Sequence, residues 1–417
     1  MHVLFISLSD KYNEGARTIQ SAKVINALQM NDVFVTVITI HNERLRSFDK
    51  KKGRIIFLSD EKRKGSNVLE KTKDKLNEFI WKVVPRLKPE SKLGIETGLQ
   101  IVRKENPDVI FSSSNPLDSH IVGAYLKERT GLPWIASFSD PRPAAIMPPP
   151  YKSKRNWISM FFEKRQVLKI LKRCDYVHMF TEYGLQLMND AYRVDIKKKG
   201  IIIPHIGETL KHIHPKENKG SNGNLIHVGR IKNRLSEELF LAIRYFYHQN
   251  PSIFRGITCV GKFSSEVKLL ARELNMENIV HVINQVPHDE ALRIISESSA
   301  VLIIEAKMEF SPFFPSKFSE ATFLGKPILA ITPEKSAMRN YLEKYGGGIA
   351  VKNNKKEIIK ALNLIFKARE NELNDMIVKQ KDLSYHFSYK TIGMQYFELL
   401  LEAIAKHKHT KGLNRNS

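Results

Sequence analysis

Apolar and polar residues alternate along the first half of the chain in a way that predicts alternating strands and helices. Short apolar runs rich in β-branched residues, which are typical of buried strands, occur at residues 2–8, 33–40, 108–114, 134–140, 174–181 and 200–207. Between the first two runs, residues 15–30 carry apolar side chains at helical spacing. Alternation of this kind predicts an α/β fold with a parallel, doubly wound sheet.

A second series of strand and helix patterns begins after a polar segment at residues 207–224. The Gly, Asn, Lys and Ser content of that segment is typical of a linker. Strand patterns then follow at residues 225–230, 256–262, 279–286, 300–306 and 347–351. We therefore predict a first domain at residues 1–206, a linker at 207–222, and a second domain at 223–385. Apolar spacing predicts a long terminal helix at residues 386–408, and residues 409–417 are expected to be a disordered tail.

Length and composition fit two globular domains. A chain of 417 residues is too long for one ordinary core, and 42% hydrophobic with 27% charged residues is a normal globular balance. Cys174 and Cys259 form no Cys-x-x-Cys pair, so neither a disulfide scaffold nor a zinc site is expected. The apolar run at residues 3–8 is too short for a signal peptide core, and no run reaches membrane-spanning length. We therefore expect a cytoplasmic location.

The net charge of +23 is concentrated in two segments. Residues 42–106 carry 18 Lys and Arg against 10 Asp and Glu, and residues 151–173 carry eight against one. Such an excess favours a polyanionic partner, which can be nucleic acid, an anionic membrane or phosphorylated substrates. Trp157 and Phe161 lie among the basic residues of the second segment, which favours peripheral contact with the inner face of the plasma membrane. The same pattern also fits a helix packed on the sheet with a solvated basic side.

The segment SPFFPSKFSEATFLGKPILAI, residues 311–331, contains residues that ordinary helix–strand packing does not require. Ser316 is a good N-cap residue, so we predict that a helix begins there and that its first amides can bind a phosphate. Two prolines stiffen the approach, and Lys317 adds a positive charge. Glu320, one turn further on, can accept hydrogen bonds from a sugar diol such as a ribose. The segment therefore predicts a site for a nucleotide-sugar diphosphate.

The motif PSKFSEATFLGKPILA resembles the donor-site signature of GT-B glycosyltransferases, in particular the large family 4 of retaining enzymes. The resemblance covers nearly the whole chain and includes the strands LIHVGR and VLIIEA, the segment CDYVHMFTE and the terminal helix. It implies two Rossmann-like domains that face each other across a cleft, with the acceptor in the first and the nucleotide sugar in the second. It also implies that the final helix crosses back onto the first domain.

The resemblance implies roles for residues of the second domain. Glu320 matches the glutamate that binds the donor ribose, and Arg230 matches the arginine that pairs with the diphosphate. Either Lys232 or Arg234 can supply a second basic residue, and we favour Arg234. Together with Ser316 and Lys317 at the helix start, these residues form the predicted donor site.

In the first domain, Gly15 and Ala16 match the Gly-rich loop that lies near the donor phosphates and the acceptor. Asp140 lies where the family has a polar residue close to the reacting sugar, so we assign Asp140, Arg230 and Lys317 to catalysis. The chain departs from the family pattern at Pro312, where another glutamate is usual, and at Ser139, where histidine is common. These departures leave the donor site in place and change the residues available for catalysis.

We interpret the chain as a glycosyltransferase that moves a sugar from a nucleotide-diphosphate sugar to a glycan or lipid-linked acceptor. The expected reaction retains the anomeric configuration and belongs to surface polysaccharide or lipopolysaccharide synthesis. No Asp-x-Asp motif occurs in the chain, and we expect neither a metal nor a cofactor, because basic side chains can neutralise the leaving diphosphate. The alternatives are a nucleotide-sugar epimerase of the same fold and an inactive scaffold subunit. A basic nucleic-acid-binding protein is a further alternative, but a recognisable binding module is missing, so no nucleic acid partner is expected.

Overall fold

The computed structural model describes residues 1–8, 16–40, 45, 48–58, 87–153, 157–209, 222–229, 231, 233–261 and 264–413. These residues fall into two compact units. The first unit contains residues 1–147 and 152–204 together with the C-terminal segment from Tyr389, and the second contains Pro148–Tyr151 and His205–Ser388. The short piece at residues 148–151 belongs to the second unit although the chain around it belongs to the first.

The first unit is built on a parallel sheet of seven strands. The strands are β1 (His2–Ser7), β2 (Phe34–Thr39), β3 (Gly53–Phe57), β4 (Val109–Ser113), β5 (Trp134–Ser137), β6 (Tyr176–Met179) and β7 (Gly200–Ile202). They lie in the order β3-β2-β1-β4-β5-β6-β7. Residues 3–6 are fully buried, which explains why β1 is a continuous apolar run, because a parallel sheet is covered on both faces.

Five helices accompany these strands in the described part of the chain up to residue 204. They are α1 (Ala16–Met30), α2 (Pro89–Glu105), α3 (Asp118–Thr130), α4 (Trp157–Arg173) and α5 (Glu182–Tyr192). Thr181 caps α5 by accepting a hydrogen bond from the Gly184 amide, as a threonine at a helix start commonly does. The first sheet is therefore doubly wound, as the alternating pattern predicts.

The second unit is built on a parallel sheet of six strands. The strands are β8 (Asn224–Val228), β9 (Gly256–Val260), β10 (Val280–Ile283), β11 (Ala300–Ile304), β12 (Ile328–Ile331) and β13 (Gly348–Val351). They lie in the order β10-β9-β8-β11-β12-β13. The helices are α6 (Glu237–Gln249), α7 (Ser264–Glu273), α8 (His288–Ser296), α9 (Ser316–Ala321), α10 (Ala337–Tyr345), α11 (Lys355–Phe366) and α12 (Glu370–Tyr385).

The last helix, α13 (Tyr389–Leu413), is part of the first unit. It buries Ile392 and Tyr396, and Gly393 lies so close to α1 that an added Cβ would stand 3.4 Å from the Ala27 Cβ. The Tyr176 hydroxyl in β6 donates a hydrogen bond of 2.8 Å to the Glu402 carboxylate. The prediction that the terminal helix returns to the first domain is therefore confirmed, and the helix continues beyond residue 408 to Leu413.

One strand of the first sheet has no counterpart in the sequence prediction. Strand β3 lies at the edge of the sheet, and its sequence GRIIF includes Arg54 and an exposed Phe57. An edge strand is only partly covered, so it lacks the continuous apolar run that marks the buried strands. Within the described residues, no helix combines the length and the apolar composition that crossing a bilayer requires.

Candidate functional site

The strand order of the second sheet creates a crevice between the carboxyl ends of β8 and β11. The chain moves outward from β8 to β9 and β10 and then returns to β11 on the other side of β8. In open α/β sheets, ligands bind outside the carboxyl ends of the strands where the order reverses in this way. Gly229 follows β8 directly and Glu305 follows β11, so these two positions border the candidate donor site.

Gly229 lets a basic side chain lie against the end of β8. Its φ is 134°, a conformation that residues with a side chain rarely adopt. A Cβ placed on Gly229 would lie 3.5 Å from the Lys317 Cε. The structure therefore brings the side chain of Lys317 to the carboxyl end of β8, at the point where the strand order reverses.

Arg234 lies in the turn after β8 and is held by an aromatic residue. Its Nε donates a hydrogen bond of 3.1 Å to the Tyr151 hydroxyl, and the Tyr151 ring packs edge-on against Phe313 with centroids 4.9 Å apart. The Arg234 charge also lowers the pKa of Glu305, against the larger effect of burial. Tyr151 carries no signal in the sequence, because its contact with Arg234 spans 83 positions and leaves no local pattern.

The short helix α9 begins differently from the prediction. Pro315, with φ −65° and ψ 114°, takes the N-cap position and Ser316 is the first helical residue. The prediction of Ser316 as the N-cap is therefore wrong, since an N-cap residue has non-helical dihedral angles and here the proline supplies them. The helix ends at Ala321, before Gly325, whose φ is 61°. A helix of six residues has little stability of its own, so packing must hold it in place.

Aromatic rings and a close glycine hold α9 in place. The fully buried Phe318 ring contacts the rings of Phe314 and Phe387, each with a centroid distance of 5.8 Å. Gly207 lies so close to the helix that an added Cβ would stand 2.1 Å from the Ser319 carbonyl oxygen, and its amide donates to the Phe387 carbonyl at 2.9 Å. Aromatic contacts and one close glycine therefore fix the helix that carries Lys317.

Glu320 is buried within α9, with 5% of its surface exposed. Its Oε1 lies 3.6 Å from the His288 Nε2. His288 is the first residue of α8. The two side chains bring the start of α8 and the end of α9 together, and the role of Glu320 toward a ribose remains a prediction.

Glu305 is a buried carboxylate that sequence analysis does not select. It is 4% exposed, and it accepts hydrogen bonds from the hydroxyls of Ser311, Thr332 and Ser336. Burial raises its pKa above the usual value, and the three hydroxyls lower it in part. The available signal is its position, because a glutamate directly after the apolar run 300–304 falls at a strand end where parallel sheets place functional side chains.

The first sheet has its own reversal of strand order, between β1 and β4. Arg17, in the first turns of α1, donates hydrogen bonds from Nη2 to Ser113 Oγ at the end of β4 and to Ser137 Oγ at the end of β5. Burial lowers the Arg17 pKa to about 10. His178 in β6 shares Ser137, with its Nδ1 2.7 Å from the same Oγ. A buried polar network thus lies at the carboxyl ends of β4 and β5, beside the strand reversal of the first sheet.

Asp140, the predicted residue near the reacting sugar, lies beside this network after β5. Its Oδ2 accepts hydrogen bonds from the Asn115 amide at 3.4 Å and from the Ser139 hydroxyl at 3.3 Å, and its charge raises the pKa of Arg17. Asp140 and its partners belong to the first unit, whereas Lys317, Arg234 and Glu305 of the candidate donor site belong to the second. A catalytic role for Asp140 remains a prediction.

Several predicted residues lie outside the described part of the chain. These are Gly15, Arg230 and Lys232; Ala16 begins α1, but its side chain is also outside the description. Among the residues that the structure does describe, no group of three or more His, Cys, Asp and Glu side chains is arranged to hold a metal ion.

Comparison with solved structures identifies the fold. Sucrose-phosphate synthase from Thermosynechococcus elongatus matches with a TM-score of 0.68 and 16% identity, over 97% of this chain and 99% of that one. A glycosyltransferase from Rickettsia africae ESF-5 matches with a TM-score of 0.66 and 13% identity, over 97% and 98%. The chain has the GT-B fold. The GT-B architecture predicted from the sequence, with two parallel-sheet domains, is therefore confirmed.

Other proteins similar to this GT-B chain have different activities. The lipopolysaccharide outer core galactosyltransferase WaaB matches with a TM-score of 0.56 and 13% identity, over 95% of this chain and 100% of that one. A putative UDP-N-acetylglucosamine 2-epimerase from Listeria monocytogenes matches with a TM-score of 0.52 and 13% identity, over 95% and 94%. No family model matches the chain, and no curated protein matches it in sequence.

Proposed function

We propose that this protein is a glycosyltransferase that binds a nucleotide-diphosphate sugar at the strand reversal of its second unit. The main support is the side chain of Lys317, which lies against Gly229 at the carboxyl end of β8. Arg234, in the turn that follows the same strand, supplies a second positive charge. Two cations at a strand reversal suit a diphosphate, because charge-assisted hydrogen bonds are about twice as strong as neutral ones.

The proposed chemistry is transfer with retention, as in the family 4 enzymes that the sequence resembles. Lys317, Arg234 and Arg230 stabilise the charge that develops on the leaving diphosphate, which is commonly the largest contribution to catalysis of this type. Glu320 holds the ribose of the donor, and Asp140 contacts the transferred sugar. Since protein cations supply this stabilisation, we expect transfer to continue when EDTA replaces divalent metal ions.

The proposed acceptor is a glycan or a lipid-linked oligosaccharide, in surface polysaccharide or lipopolysaccharide synthesis in the cytoplasm. The similarity to an outer core galactosyltransferase supports this choice. The similarity to a putative epimerase keeps a second function in view, because an epimerase binds the same kind of nucleotide sugar without an acceptor. Release of free nucleotide upon sugar transfer identifies a transferase, and interconversion of the sugar without release identifies an epimerase.

A binding experiment tests the donor site directly. UDP-, GDP- and ADP-sugars at millimolar concentration should include one that raises the melting temperature, because a ligand at 100 times its Kd stabilises the native state by about 2.7 kcal/mol. Lys317→Ala should lower the affinity for that ligand about tenfold or more, since a hydrogen bond to a charged group contributes roughly 1.5–3 kcal/mol. Lys360→Ala, an exposed lysine in α11, is the matched control. If no donor binds, or if both variants bind equally, the proposal is wrong.

Helix α4 supports a peripheral contact with an anionic membrane through residues 151–173. Trp157 and Phe161, 72% and 54% exposed, lie one turn apart, and Lys164 and Arg165 follow on the exposed surface. Val167, Ile170 and Leu171 are the buried residues of the helix. An exposed aromatic pair beside basic residues is the pattern of an interfacial helix. The other basic segment, 42–106, is described only at residues 45, 48–58 and 87–106.

Vesicle sedimentation tests this membrane contact. Vesicles with anionic phosphatidylglycerol should sediment the protein, and pure phosphatidylcholine vesicles should not, because basic residues near an anionic surface contribute about 1 kcal/mol each. Trp157→Ser together with Phe161→Ser should reduce the bound fraction. Leu364→Ser, which removes an apolar side chain that is 57% exposed in the second unit, should leave it unchanged. Equal binding by all three proteins would exclude α4 as the membrane contact.

A further inference from the structure

The buried carboxylate of Glu305 connects separate segments at the strand reversal. Its Oε1 accepts from the Ser311 hydroxyl, in the loop that leads to α9. Its Oε2 accepts from Thr332, directly after β12, and from Ser336, directly before α10, the latter at 2.7 Å. Three hydroxyl donors on one buried carboxylate form a fully connected network, and such networks fix the conformation of the segments they join.

Ser311 is the member of this network that begins the loop 311–315 before α9, which we call the donor loop. It is fully buried, and its Oγ also accepts a hydrogen bond of 3.3 Å from the Phe313 amide. Its own amide donates at 2.8 Å to the carbonyl of Lys335. Ser311 is therefore fixed through its backbone and its side chain, at the start of the loop that ends at Pro315.

The loop between Ser311 and α9 has little conformational freedom, so the position of Ser311 determines where α9 begins. Pro312 and Pro315 restrict the backbone dihedral angles, and the Phe313 ring packs against Tyr151. In the first turn of α9, directly after the loop, Lys317 lies against Gly229. A displacement of Ser311 would therefore move Lys317, whereas the same change at Ser336 would act on the start of α10.

We propose that Glu305 is a positioning residue of the donor site, which holds the loop 311–315 through Ser311 so that Lys317 meets the terminal phosphate of a nucleoside diphosphate. This inference rests on the proposed function and adds a residue and a ligand group to it. The group concerned is the β-phosphate, which a nucleoside diphosphate carries and a monophosphate lacks. The Glu305 carboxylate is buried and accepts hydrogen bonds from Ser311, Thr332 and Ser336, so it acts on the donor site through Ser311.

Matched serine variants separate positioning from simple stabilisation. Ser311→Ala and Ser336→Ala each remove one hydroxyl from Glu305, and both serines are fully buried, but only Ser311→Ala releases the donor loop. Titrations of UDP, GDP and ADP, and of the corresponding monophosphates, should show about tenfold weaker binding of the diphosphate to Ser311→Ala and to Glu305→Met, which removes the oxygen that accepts from Ser311. Monophosphate binding should stay within about twofold of wild type, and Ser336→Ala should bind both ligands like the wild type.

The outcomes distinguish this inference from the function on which it rests. Melting temperatures without ligand show whether each variant is folded, and Glu305→Met keeps the length of the side chain if an alanine variant fails to fold. If wild type and Lys317→Ala differ in diphosphate affinity but Ser311→Ala and Ser336→Ala do not differ from each other, the positioning role is wrong and the donor site stands. If the wild type binds none of the three diphosphates, the proposed function fails and this inference fails with it.

Discussion

At the scale of single residues, the structure places buried polar side chains at the ends of both sets of strands. In the second unit the carboxylate of Glu305 is satisfied by three hydroxyls. In the first unit Arg17 and His178 meet at Ser137. Buried polar groups are costly unless they are paired, so these networks are stable only in the native arrangement, and each of them ties strand ends to a neighbouring element.

His178 makes the stability of the first unit dependent on pH. Its Nε2 lies 2.9 Å from the Ile203 carbonyl, and burial lowers its pKa to about 3 from an ordinary value of 6.5. Below pH 6.5 the unfolded chain therefore binds a proton that the folded chain does not bind, and the free energy of unfolding falls as the pH falls. The loss is at most about 1.4 kcal/mol for each pH unit between 6.5 and the native pKa.

Urea unfolding at pH values between 7.5 and 5 measures this dependence. His178→Gln keeps a side chain that can hydrogen-bond but does not titrate. The free energy of unfolding of this variant should be lower than that of the wild type at pH 7.5 and should fall less steeply on acidification. A surface histidine in α6, His248→Gln, is the control and should follow the wild type. Parallel pH profiles for wild type and His178→Gln would contradict the account.

At the scale of elements, sequence patterns predict the buried strands well because a parallel sheet covered on both faces requires continuous apolar runs. The edge strand β3 is not predicted, since its residues are only partly covered. The start of α9 is shifted because Pro315, not Ser316, takes the N-cap. Aromatic contacts hold that helix, and the rings of Phe318 and Phe387 lie far apart in the sequence, so no local pattern reveals them.

The candidate site is also predictable only in part from the sequence. Lys317 and Glu320 stand in a local motif, which is why the sequence indicates them. Tyr151 and Glu305 depend on contacts with residues distant in sequence, Arg234 and Thr332 respectively, and only the tertiary structure brings these partners together. Local chemistry is therefore visible in the sequence, whereas the residues that orient it are not.

Helix α13 gives a test at this scale, because it contributes core residues to the first unit from the far end of the chain. Ile392→Ala removes a fully buried side chain and should lower the free energy of unfolding of the first unit by roughly 2–5 kcal/mol. Leu401→Ala in the same helix removes a side chain that is 48% exposed and should change it by less than about 0.5 kcal/mol. Denaturant unfolding measures both variants, and equal effects would show that α13 does not pack as described.

At the scale of the whole molecule, two doubly wound units each carry polar residues where their strand order reverses. Solved structures with 13–16% identity share this fold over nearly the full chain. A fold shared at such low identity does not determine the reaction, and the function therefore rests on the residues at the strand reversals. The +23 net charge suits anionic ligands and surfaces, which include a nucleotide sugar and an anionic membrane.

Hydrogen exchange with and without a nucleoside diphosphate tests whether the strand reversal of the second unit binds the diphosphate of a sugar donor. With the tightest-binding of UDP, GDP and ADP at saturation, amides of residues 225–234 and 305–320 should exchange more slowly, because binding restricts opening of the elements it contacts. The same ligand should give no such protection in Lys317→Ala at equal concentration. Protection confined to residues outside these two segments, or none with any of the three ligands, would contradict the account.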